Sequence, residues 1–276
     1  MSSCRRRALP ALLLGCASLL LPGCRIGNPQ PVTPTTWKLV MQDEFEGAAG
    51  QKPDLARWSY DIGGGGWGNQ QLEFDTERTE NVSLDGRGNL AITARKEDYL
   101  GNAYTSARIL TKAKFSQQYG KFEARIKLPS GQGLWPAFWM LGADFDSVGW
   151  PECGEIDIME YRGQEPGVVL GSIHGPGYSG GNAVTQSYAL PNGGRFDEDF
   201  HVFSVEWGPD KLTFFVDGTA YHTVGRGQVN GRWVFDKPFF ILLNVAVGGT
   251  FLGNPSAQTV FPTQMLVDYV RVYEAR

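Results

Sequence analysis

The sequence is poor in histidine and carries fewer basic than acidic residues. Three histidines occur among 276 residues, and His174, His201 and His222 lack the close spacing of zinc ligands, which argues against a histidine-rich zinc centre. Lysine and arginine number 25 against 29 aspartate and glutamate residues, giving a formal net charge of −4. Because nucleic-acid binding requires a concentrated basic surface, this balance excludes nucleic acid as a partner and favours a neutral ligand.

Cysteine is also scarce, and its positions limit covalent cross-linking. Of the four cysteines, Cys4 and Cys16 lie in an N-terminal segment that we expect to be removed, and Cys24 lies at its end. Cys153 is then the single cysteine of the folded part. No internal disulfide is available there, so the fold must be stabilised by its core.

The first 24 residues are typical of an export signal. Three arginines at 5–7 precede an apolar stretch over 8–21 that is too short to span a bilayer comfortably. The stretch ends at 21–24 in Leu-Pro-Gly-Cys, which resembles a bacterial lipobox, whose cysteine becomes the lipidated first residue. We therefore expect an exported protein of the outer membrane or cell surface, attached to the membrane only by a lipid on Cys24. Ordinary cleavage and secretion is the alternative.

The rest of the chain divides into a linker and one domain. Residues 25–36 are rich in proline and threonine, which predicts an extended, unpacked tether. Residues 37–276 contain many short strand-like runs, no fixed repeat and no amphipathic helix. The chain has 36 glycines and 16 prolines, as many turns would require. The predicted fold class is all-β: a large antiparallel β-sandwich of the jelly-roll, concanavalin-like type.

Several runs predict individual strands, and two turns predict hairpins. In residues 121–128 apolar side chains alternate with charged ones, which places the two sets on opposite faces of a strand. Pro209-Asp210 and Asp217-Gly218 are typical turn sequences between neighbouring strands. The predicted strands are 89–95, 121–128, 201–207, 212–216, 239–245 and 266–273.

The segment 154–160 carries three acids in a strand-like run. In a regular strand Glu155 and Asp157 share a face, whereas Glu160 has the opposite parity. One extra residue in a β-bulge at Met159 would return Glu160 to the face of the other two acids. Three carboxylates on one face repel one another, and each then holds its proton more tightly. Nothing structural requires such an arrangement, so this segment is the candidate reactive site.

The spacing of the two glutamates favours one kind of chemistry. With the bulge, Glu155 and Glu160 stand roughly 13 Å apart at Cα, and side chains leaning toward each other close this to roughly 5–6 Å. That separation is typical of a retaining glycosidase, in which one glutamate is the nucleophile and the other the acid and later the base. Asp157, between them, would hold a proton and orient the nucleophile.

Two plainer interpretations of the acids stay open. Acidic residues on a solvent-facing strand are common and need no function, and three carboxylates can also bind Ca²⁺. Trp135, Trp139 and Trp150 lie close by in sequence and favour the glycosidase interpretation, because flat aromatic rings cover the C–H faces of sugars. Trp135 and Trp139 are four residues apart and would share one face of a strand.

The segment Glu155-Ile-Asp-Ile-Met-Glu160 resembles the signature of glycoside hydrolase family sixteen, in the bulged form found in laminarinases, agarases and carrageenases. The likeness covers nearly the whole domain. It implies a curved jelly roll whose concave sheet forms the substrate cleft, with Glu155 as the nucleophile, Asp157 as the assisting acid and Glu160 as the acid/base. The other segments that carry the resemblance are 66–72, 135–141, 149–151, 173–181, 244–249 and 268–273.

The resemblance also implies which residues bind the substrate. Aromatic rings would stack on sugar faces, while amide, guanidinium and imidazole groups would bond the hydroxyls. Phe251 stands where many relatives carry tryptophan, which leaves the sugar contact at that position open. The implied substrate-binding residues are Asn69, Arg108, Trp135, Trp139, Trp150, His174 and Asn244.

A structural Ca²⁺ is a further implication of the resemblance. Asp268 interrupts an apolar run near the C-terminus, where an unpaired carboxylate is costly. In the family, this aspartate and main-chain carbonyls hold calcium on the convex side, and the matching carbonyls here are those of Glu44 and Gly88. A salt bridge from Asp268 to Arg271 or Lys38 is the alternative.

These features together predict a monomeric enzyme that cuts β-1,3-glucan internally with retention of configuration and needs no cofactor for catalysis. Alternative substrates are mixed-linkage β-1,3-1,4-glucan and a galactan, although a sulfated galactan would require a more basic cleft. Transglycosylation is a second alternative, and a non-catalytic glucan-binding or sensing protein on the same fold is a third. A binding module has no use for three clustered acids, so hydrolysis is the favoured hypothesis.

Overall fold

The structure, a computed structural model, describes residues 35–276. The predicted signal peptide, the predicted lipidation site Cys24 and residues 25–34 of the predicted linker lie outside the described residues. Within the described range, no helix combines the length and the apolar character needed to cross a membrane. Helical structure in this range is limited to α1 (Phe145–Val148) and three 3₁₀ turns, at Gly180–Asn182, Pro191–Gly193 and Arg226–Gln228.

Almost all of the remaining regular structure is β-strand. The strands are β1 (Trp37–Asp43), β2 (Ser59–Asp61), β3 (Glu73–Asp75), β4 (Val82–Leu84), β5 (Leu90–Tyr99), β6 (Asn102–Ser106), β7 (Arg108–Leu110), β8 (Gly120–Lys127), β9 (Leu134–Gly142), β10 (Glu155–Tyr161), β11 (Val168–His174), β12 (Val184–Ala189), β13 (His201–Trp207), β14 (Lys211–Val216), β15 (Thr219–Gly225), β16 (Phe239–Val247) and β17 (Thr263–Ala275).

The strands form two sheets that pack face to face. The larger sheet has ten strands, with the main path β15-β14-β13-β8-β17-β5-β6-β3, and β1 and β4 pair with β17 and β5. The smaller sheet has seven strands in the order β12-β11-β10-β9-β16-β7-β2. Neighbours pair antiparallel, apart from the parallel pair of β3 and β6. The predicted antiparallel β-sandwich is therefore confirmed.

Each of the predicted strand runs lies within or across one observed strand, with bounds that differ by a few residues. The two predicted hairpins are also present, because β14 pairs with both β13 and β15. At the second turn, Asp217 and Gly218 both have positive φ, 49° and 76°. A two-residue turn with both residues in the left-handed region matches the twist of the strands that it joins.

Apolar side chains of both sheets meet in one main core. On β8, Phe122, Ala124 and Ile126 are fully buried, and the charged residues between them face the outside, as the alternation predicted. Ile156 and Ile173 supply matching side chains from the smaller sheet. Burial of about 25 cal/mol for each Å² of apolar surface makes this contact the main source of stability in a fold without a disulfide.

Strand β16 is buried on both of its faces. Ile241 and Leu243 point into the main core, whereas Phe240 and Leu242 belong to a second apolar cluster, together with Cys153. This arrangement explains why the sequence of β16 reads as an unbroken apolar run instead of an alternating one. The second cluster lies on the face of the smaller sheet that points away from the larger sheet, which we call the cleft face.

Candidate active site

A bulge at Ile158 and Met159 places the three acids of β10 on the cleft face. Met159 pairs with Phe138 of β9, Ile158 has no partner there, and the pairing with β11 shifts at the same place. Both bulge side chains are buried in the main core, 1% and 0% exposed. The extra residue therefore returns Glu160 to the same face as the other two acids. The predicted bulge is confirmed, although the residue left unpaired against β9 is Ile158 instead of Met159.

Two tryptophans donate hydrogen bonds to the two glutamates. Nε1 of Trp150 lies 2.5 Å from Oε2 of Glu155, and Nε1 of Trp135 lies 3.1 Å from Oε1 of Glu160. An N–H donor fixes the direction of a carboxylate and favours its ionised form. Each tryptophan is therefore tied to one of the glutamates, and Trp150 still keeps 45% of its surface exposed.

The third predicted tryptophan lies at the centre of the cleft face. Trp139 pairs with Asp157 across the strands, and its Nε1 donates a 2.7 Å hydrogen bond to Oδ1 of Asn244 on β16. Asn244 in turn pairs with Arg108 of β7. Side chains of directly paired residues share a face, so the predicted binding residues of β9, β16 and β7 lie in adjoining positions.

His174 lies beside the middle acid. Its Nε2 is 3.0 Å from Oδ2 of Asp157, and its Nδ1 accepts a 3.1 Å hydrogen bond from the backbone N–H of Gly180. Because Nδ1 accepts, the ring proton resides on Nε2 and points to Asp157. Polar atoms of Glu155, Asp157 and His174 lie within 4.8 Å of one another. Ca²⁺ prefers oxygen ligands, so a close set that includes an imidazole favours proton chemistry over the calcium alternative for these acids.

Burial raises the pKa of all three acids. The pKa of Glu155 rises from 4.5 to about 8, first through burial and then through the negative charge of Asp157. The pKa of Glu160 rises to about 7, chiefly through burial, and that of Asp157 rises well above its usual range through burial and the charge of Glu160. The site therefore keeps protons at neutral pH, as a group that alternates between acid and base requires.

The arginine and asparagine predicted to bind hydroxyls lie farther along the cleft face. Arg108 is only 7% exposed, and Nη2 of its guanidinium lies 3.4 Å from Oε1 of Gln71. Asn69 lies in the loop before β3, and its carbonyl accepts a 2.8 Å hydrogen bond from the backbone N–H of Thr250. The loops before β3 and after β16 therefore meet at this end of the cleft.

Phe251 extends the aromatic surface beside Glu160. Its ring centroid is 4.6 Å from that of Trp135. The guanidinium carbon of Arg162 also lies over the Phe251 ring, 4.5 Å from its centroid. An aromatic ring is thus present at the position where sequence left the sugar contact open.

Sequence reasoning missed one polar contact of the site. The Ser172 hydroxyl lies 3.4 Å from Oε2 of Glu160 and 2.9 Å from Oγ1 of Thr185. Ser172 precedes His174 by two residues, so both side chains emerge on the same face of β11. That two-residue spacing is the signal from which the contact was predictable.

The fold brings the three predicted calcium-binding residues to one place. Along one edge of β17, β5 pairs up to residue 267 and β1 pairs from residue 270, so Asp268 lies in the interval between them. Glu44 directly follows β1, and Gly88 precedes β5. One carboxylate and main-chain carbonyls form an oxygen ligand set, which is the type that Ca²⁺ prefers.

The salt-bridge partner proposed from sequence for Asp268 is wrong. Oδ2 of Asp268 accepts a 2.6 Å hydrogen bond from Nη1 of Arg125, on the neighbouring strand β8. Arg271 is instead paired with Glu44 at 2.8 Å, and Lys38 is paired with a different acid, at the end of β17. Asp268 therefore already has one cationic partner, and a bound Ca²⁺ would be a second.

Comparison with known proteins agrees with this geometry. The chain matches Glycosyl hydrolases family 16 over residues 68–271. A beta-glucanase of Rhodothermus marinus is 42% identical, and the match covers 98% of this chain and 94% of that protein. Glucan endo-1,3-beta-glucosidase A1 of Niallia circulans is 38% identical, over 90% of this chain and 39% of that longer protein.

A solved structure has the same fold. The endo-beta-1,3-glucanase from Pyrococcus furiosus superimposes with a TM-score of 0.82 at 49% identity, covering 89% of this chain and 99% of that chain. The matched family region contains β10 and its bulge together with every predicted substrate-binding residue. The chain belongs to glycosyl hydrolase family 16.

Proposed function

We propose that this protein hydrolyses β-1,3-glucan at internal bonds with retention of anomeric configuration. The observation that carries the proposal is the β10 bulge, which sets Glu155 and Glu160 on one face, each bonded to a different tryptophan. The β-glucanase names of the similar proteins support the substrate class. A neutral glucan also suits a cleft that presents indole rings and amides instead of lysines.

The first half of the reaction forms a covalent intermediate. The protonated carboxyl of Glu160 gives its proton to the glycosidic oxygen while the carboxylate of Glu155 attacks the anomeric carbon. The bond from that carbon to the glycosidic oxygen breaks, and an ester bond to Glu155 forms. Glu155 and Asp157 share a proton, and Glu155 attacks when that proton has passed to Asp157, which then donates a hydrogen bond to the ionised nucleophile.

The second half returns the enzyme to its starting state. Glu160, now ionised, takes a proton from water as the water oxygen attacks the anomeric carbon and the ester bond to Glu155 breaks. Two inversions give net retention. The hydroxyl of Ser172 and the indole N–H of Trp135 both contact Glu160 and hold it in one direction through both steps.

Rescue by a small anion tests the two roles. In Glu160→Ala the general base is absent, so hydrolysis should be severely reduced, by a factor of roughly 10²–10⁴. Added azide needs no base and should restore turnover, giving a glycosyl azide of retained configuration. In Glu155→Gln no intermediate forms, so azide should not yield that product. A retained-configuration azide product from Glu155→Gln, or full activity in either variant, contradicts the assignment.

A substrate panel separates the proposed activity from its alternatives. Laminarin, lichenan and agarose are offered side by side, reducing ends are followed over time, and proton NMR identifies the anomer released first. The proposal expects laminarin to be cut fastest with the β-anomer appearing first. Faster cleavage of lichenan would indicate a mixed-linkage enzyme. Tight binding of laminarin without any cleavage would indicate a glucan-binding protein.

We also propose a structural Ca²⁺ held by Asp268 and by the carbonyls of Glu44 and Gly88. The convergence of the three residues beside β17 supports this, and the ion would tie β1 and β5 together. Treatment with a chelator should lower the melting temperature and leave the activity of the folded protein unchanged. An unaltered melting curve with no metal by elemental analysis contradicts the site.

Export and lipidation rest on the sequence of residues 1–24 alone. We propose that the chain is exported and acylated on Cys24, and is otherwise secreted. Incorporation of labelled palmitate into the wild-type protein but not into Cys24→Ser supports the lipoprotein form. Soluble wild-type protein without label supports simple secretion.

A further inference from the structure

A second group of buried acids lies beside Arg108 and has no part in the reaction derived above. Glu73 and Asp75 of β3 are 0% and 1% exposed. Oε2 of Glu73 accepts a 2.8 Å hydrogen bond from the backbone N–H of Val247, which anchors the end of β16. Oδ2 of Asp75 lies 3.9 Å from Nε of Arg108. Asp75 is therefore a buried carboxyl group behind the guanidinium, and burial and the charge of Glu73 raise its pKa well above the usual range.

The guanidinium of Arg108 lies between two indole rings. Its central carbon is 4.4 Å from the ring centroid of Trp67 and 5.6 Å from that of Trp139. A cation over an indole face is attracted by the ring, more strongly where water is excluded. Because Arg108 is nearly buried under these rings, the surface at this end of the cleft is formed by Trp67 instead of the arginine.

The backbone at Trp67 adopts a conformation that a bulky residue seldom takes. Its φ is +47°, in the left-handed region, which costs roughly 1–2 kcal/mol for a residue with a side chain of this size. The loop makes room for this turn with Gly66, where a Cβ would approach the backbone of Gln70 to 3.0 Å. Backbone strain of this kind concentrates at ligand sites, where placement of one side chain outweighs its cost.

The ring is held in place while part of it stays exposed. A Cβ at Gly63 would lie 3.6 Å from Cζ2 of Trp67, so the edge of the indole rests on the loop backbone. The backbone of Gly63 exchanges two hydrogen bonds, of 3.0 and 2.8 Å, with Asp75. Asp75 thus contacts both supports of the ring: the loop through its main chain and Arg108 through its side chain.

We propose that Trp67 is a further sugar-binding residue of the cleft, and that Asp75 positions it through Arg108. Strand β7 is three strands away from β10, which at a strand spacing of about 4.8 Å places Arg108 about 14 Å from the acids. Trp67 therefore stacks on a glucose residue of the substrate chain that is remote from the cleaved bond, beyond Trp139. This inference rests on the proposed β-1,3-glucanase activity and adds a subsite to it.

The experiment is a chain-length series with β-1,3-linked gluco-oligosaccharides, in which kcat and KM are measured for the wild type and for Trp67→Ala. The shortest substrates that are cleaved should show little difference. Substrates long enough to reach Trp67 should show a KM raised roughly tenfold with a nearly constant kcat, since stacking is lost equally from the ground state and the transition state. Trp67→Phe, which keeps an aromatic face, should recover most of the affinity.

Two further variants separate binding from general support of the fold. Tyr99→Ala removes an aromatic ring that stacks at 4.5 Å on Arg78, in the other sheet, and should leave the length dependence unchanged. Asp75→Asn keeps the size of the side chain but replaces its carboxyl group by an amide. It should reproduce the length-dependent rise in KM in weaker form, with kcat on short substrates preserved.

Distinct results overturn the inference and the function on which it rests. An equal loss at every chain length in Trp67→Ala and Trp67→Phe would make Trp67 a purely structural residue. A length-dependent loss in Trp67→Ala without any in Asp75→Asn would remove the positioning role. A wild-type protein that cleaves no β-1,3-linked substrate would overturn the proposed activity itself, and the subsite with it.

Discussion

The outer face of the ten-stranded sheet and the cleft face of the seven-stranded sheet treat acidic side chains in opposite ways. On the outer face Asp268 is paired with Arg125 at 2.6 Å and Glu44 with Arg271 at 2.8 Å, with about a third of each side chain exposed. On the cleft face, the described residues supply the three acids of β10 with indole, hydroxyl and imidazole partners but no lysine or arginine.

The difference shows that the buried acids of the cleft face lower the stability of the fold and are reactive for the same reason. Exposed ion pairs contribute little to stability. Buried acids without a cation are costly when ionised, which raises their pKa into the range where one group donates a proton and a neighbour attacks. Aspartate and glutamate are therefore unreactive on the outer face, where they are exposed and paired with arginine. They are reactive on the cleft face, where they are buried and have no cationic partner among the described residues.

A change of parity at the bulge should have the largest effect on this contrast. Insertion of one alanine after Met159 adds a further residue to β10, so Glu160 would turn from the cleft into the main core. Activity on laminarin should fall by at least roughly 10³-fold, as for loss of the general acid. Met159→Leu keeps the bulge and conserves volume, and it should retain most of the activity. An insertion variant with the kcat of the wild type would show that residue parity at the bulge does not place Glu160.

Neutralisation of the middle acid should come next. Asp157→Asn removes the carboxylate whose charge raises the pKa of Glu155, and with it the group that can take over the proton of Glu155. We expect kcat to fall by roughly 100-fold and the acidic limb of the pH–rate profile, which reports ionisation of the nucleophile, to move to lower pH. Asp217→Asn is a matched control, because Asp217 also contacts a histidine, His201 at 2.7 Å, but outside the cleft. An unshifted profile in Asp157→Asn would make Asp157 a bystander.

Neutralising Glu155 should abolish activity but increase the stability of the fold at alkaline pH. The pKa of Glu155 is raised from 4.5 to about 8 in the folded state, so its contribution to stability is complete below about pH 4.5 and is lost as pH rises through 8. Glu155→Gln never ionises, so it should equal the wild type near pH 4 and exceed it by roughly 5 kcal/mol at pH 9, measured by urea unfolding. Equal stability at pH 9 would contradict the raised pKa.

The ion-paired acid Glu97 provides the mirror image of that experiment. Its pKa is lowered by the hydroxyl of Thr105 and by Arg78, so its stabilising contribution is present above its unfolded pKa and is lost as pH falls. Glu97→Gln should therefore be less stable than the wild type at neutral pH and should approach it in acid. If Glu97→Gln were instead more stable than the wild type at neutral pH, the proposed contrast between ion-paired and buried acids would be wrong.

The smallest effect is expected for a single pair on the outer face. Arg125→Ala removes the partner of Asp268, and because both side chains are about one-third exposed, the free energy of unfolding should change by at most about 1 kcal/mol. Activity should be unchanged. A loss of more than 2 kcal/mol would contradict the interpretation of this contact as an ordinary surface ion pair.

Strand alternation made the fold and the acid cluster predictable from sequence. The parity of Glu155, Asp157 and Glu160 identified both their common face and the need for a bulge, and the alternation in β8 identified the core face. Parity is a local property, so it survives without knowledge of which strands are neighbours.

Contacts between strands that are distant in sequence were not predictable in this way. The partner of Asp268 is Arg125, 143 residues earlier, and only the adjacency of β8 and β17 reveals it. The burial of Arg108 beneath Trp67 likewise depends on a left-handed turn and on the order of β9, β16 and β7. Residue patterns identify faces, whereas strand order decides which side chains meet on a face.

The double burial of β16 means that the floor of the cleft is also interior to the molecule. Phe240 and Leu242 support the cleft side, and Ile241 and Leu243 belong to the main core one residue away. Loss of packing in the main core must therefore also disrupt the packing of the second cluster. This part of the catalytic surface should unfold together with the core and not in a separate transition. Heat should abolish turnover and near-ultraviolet circular dichroism at the same temperature.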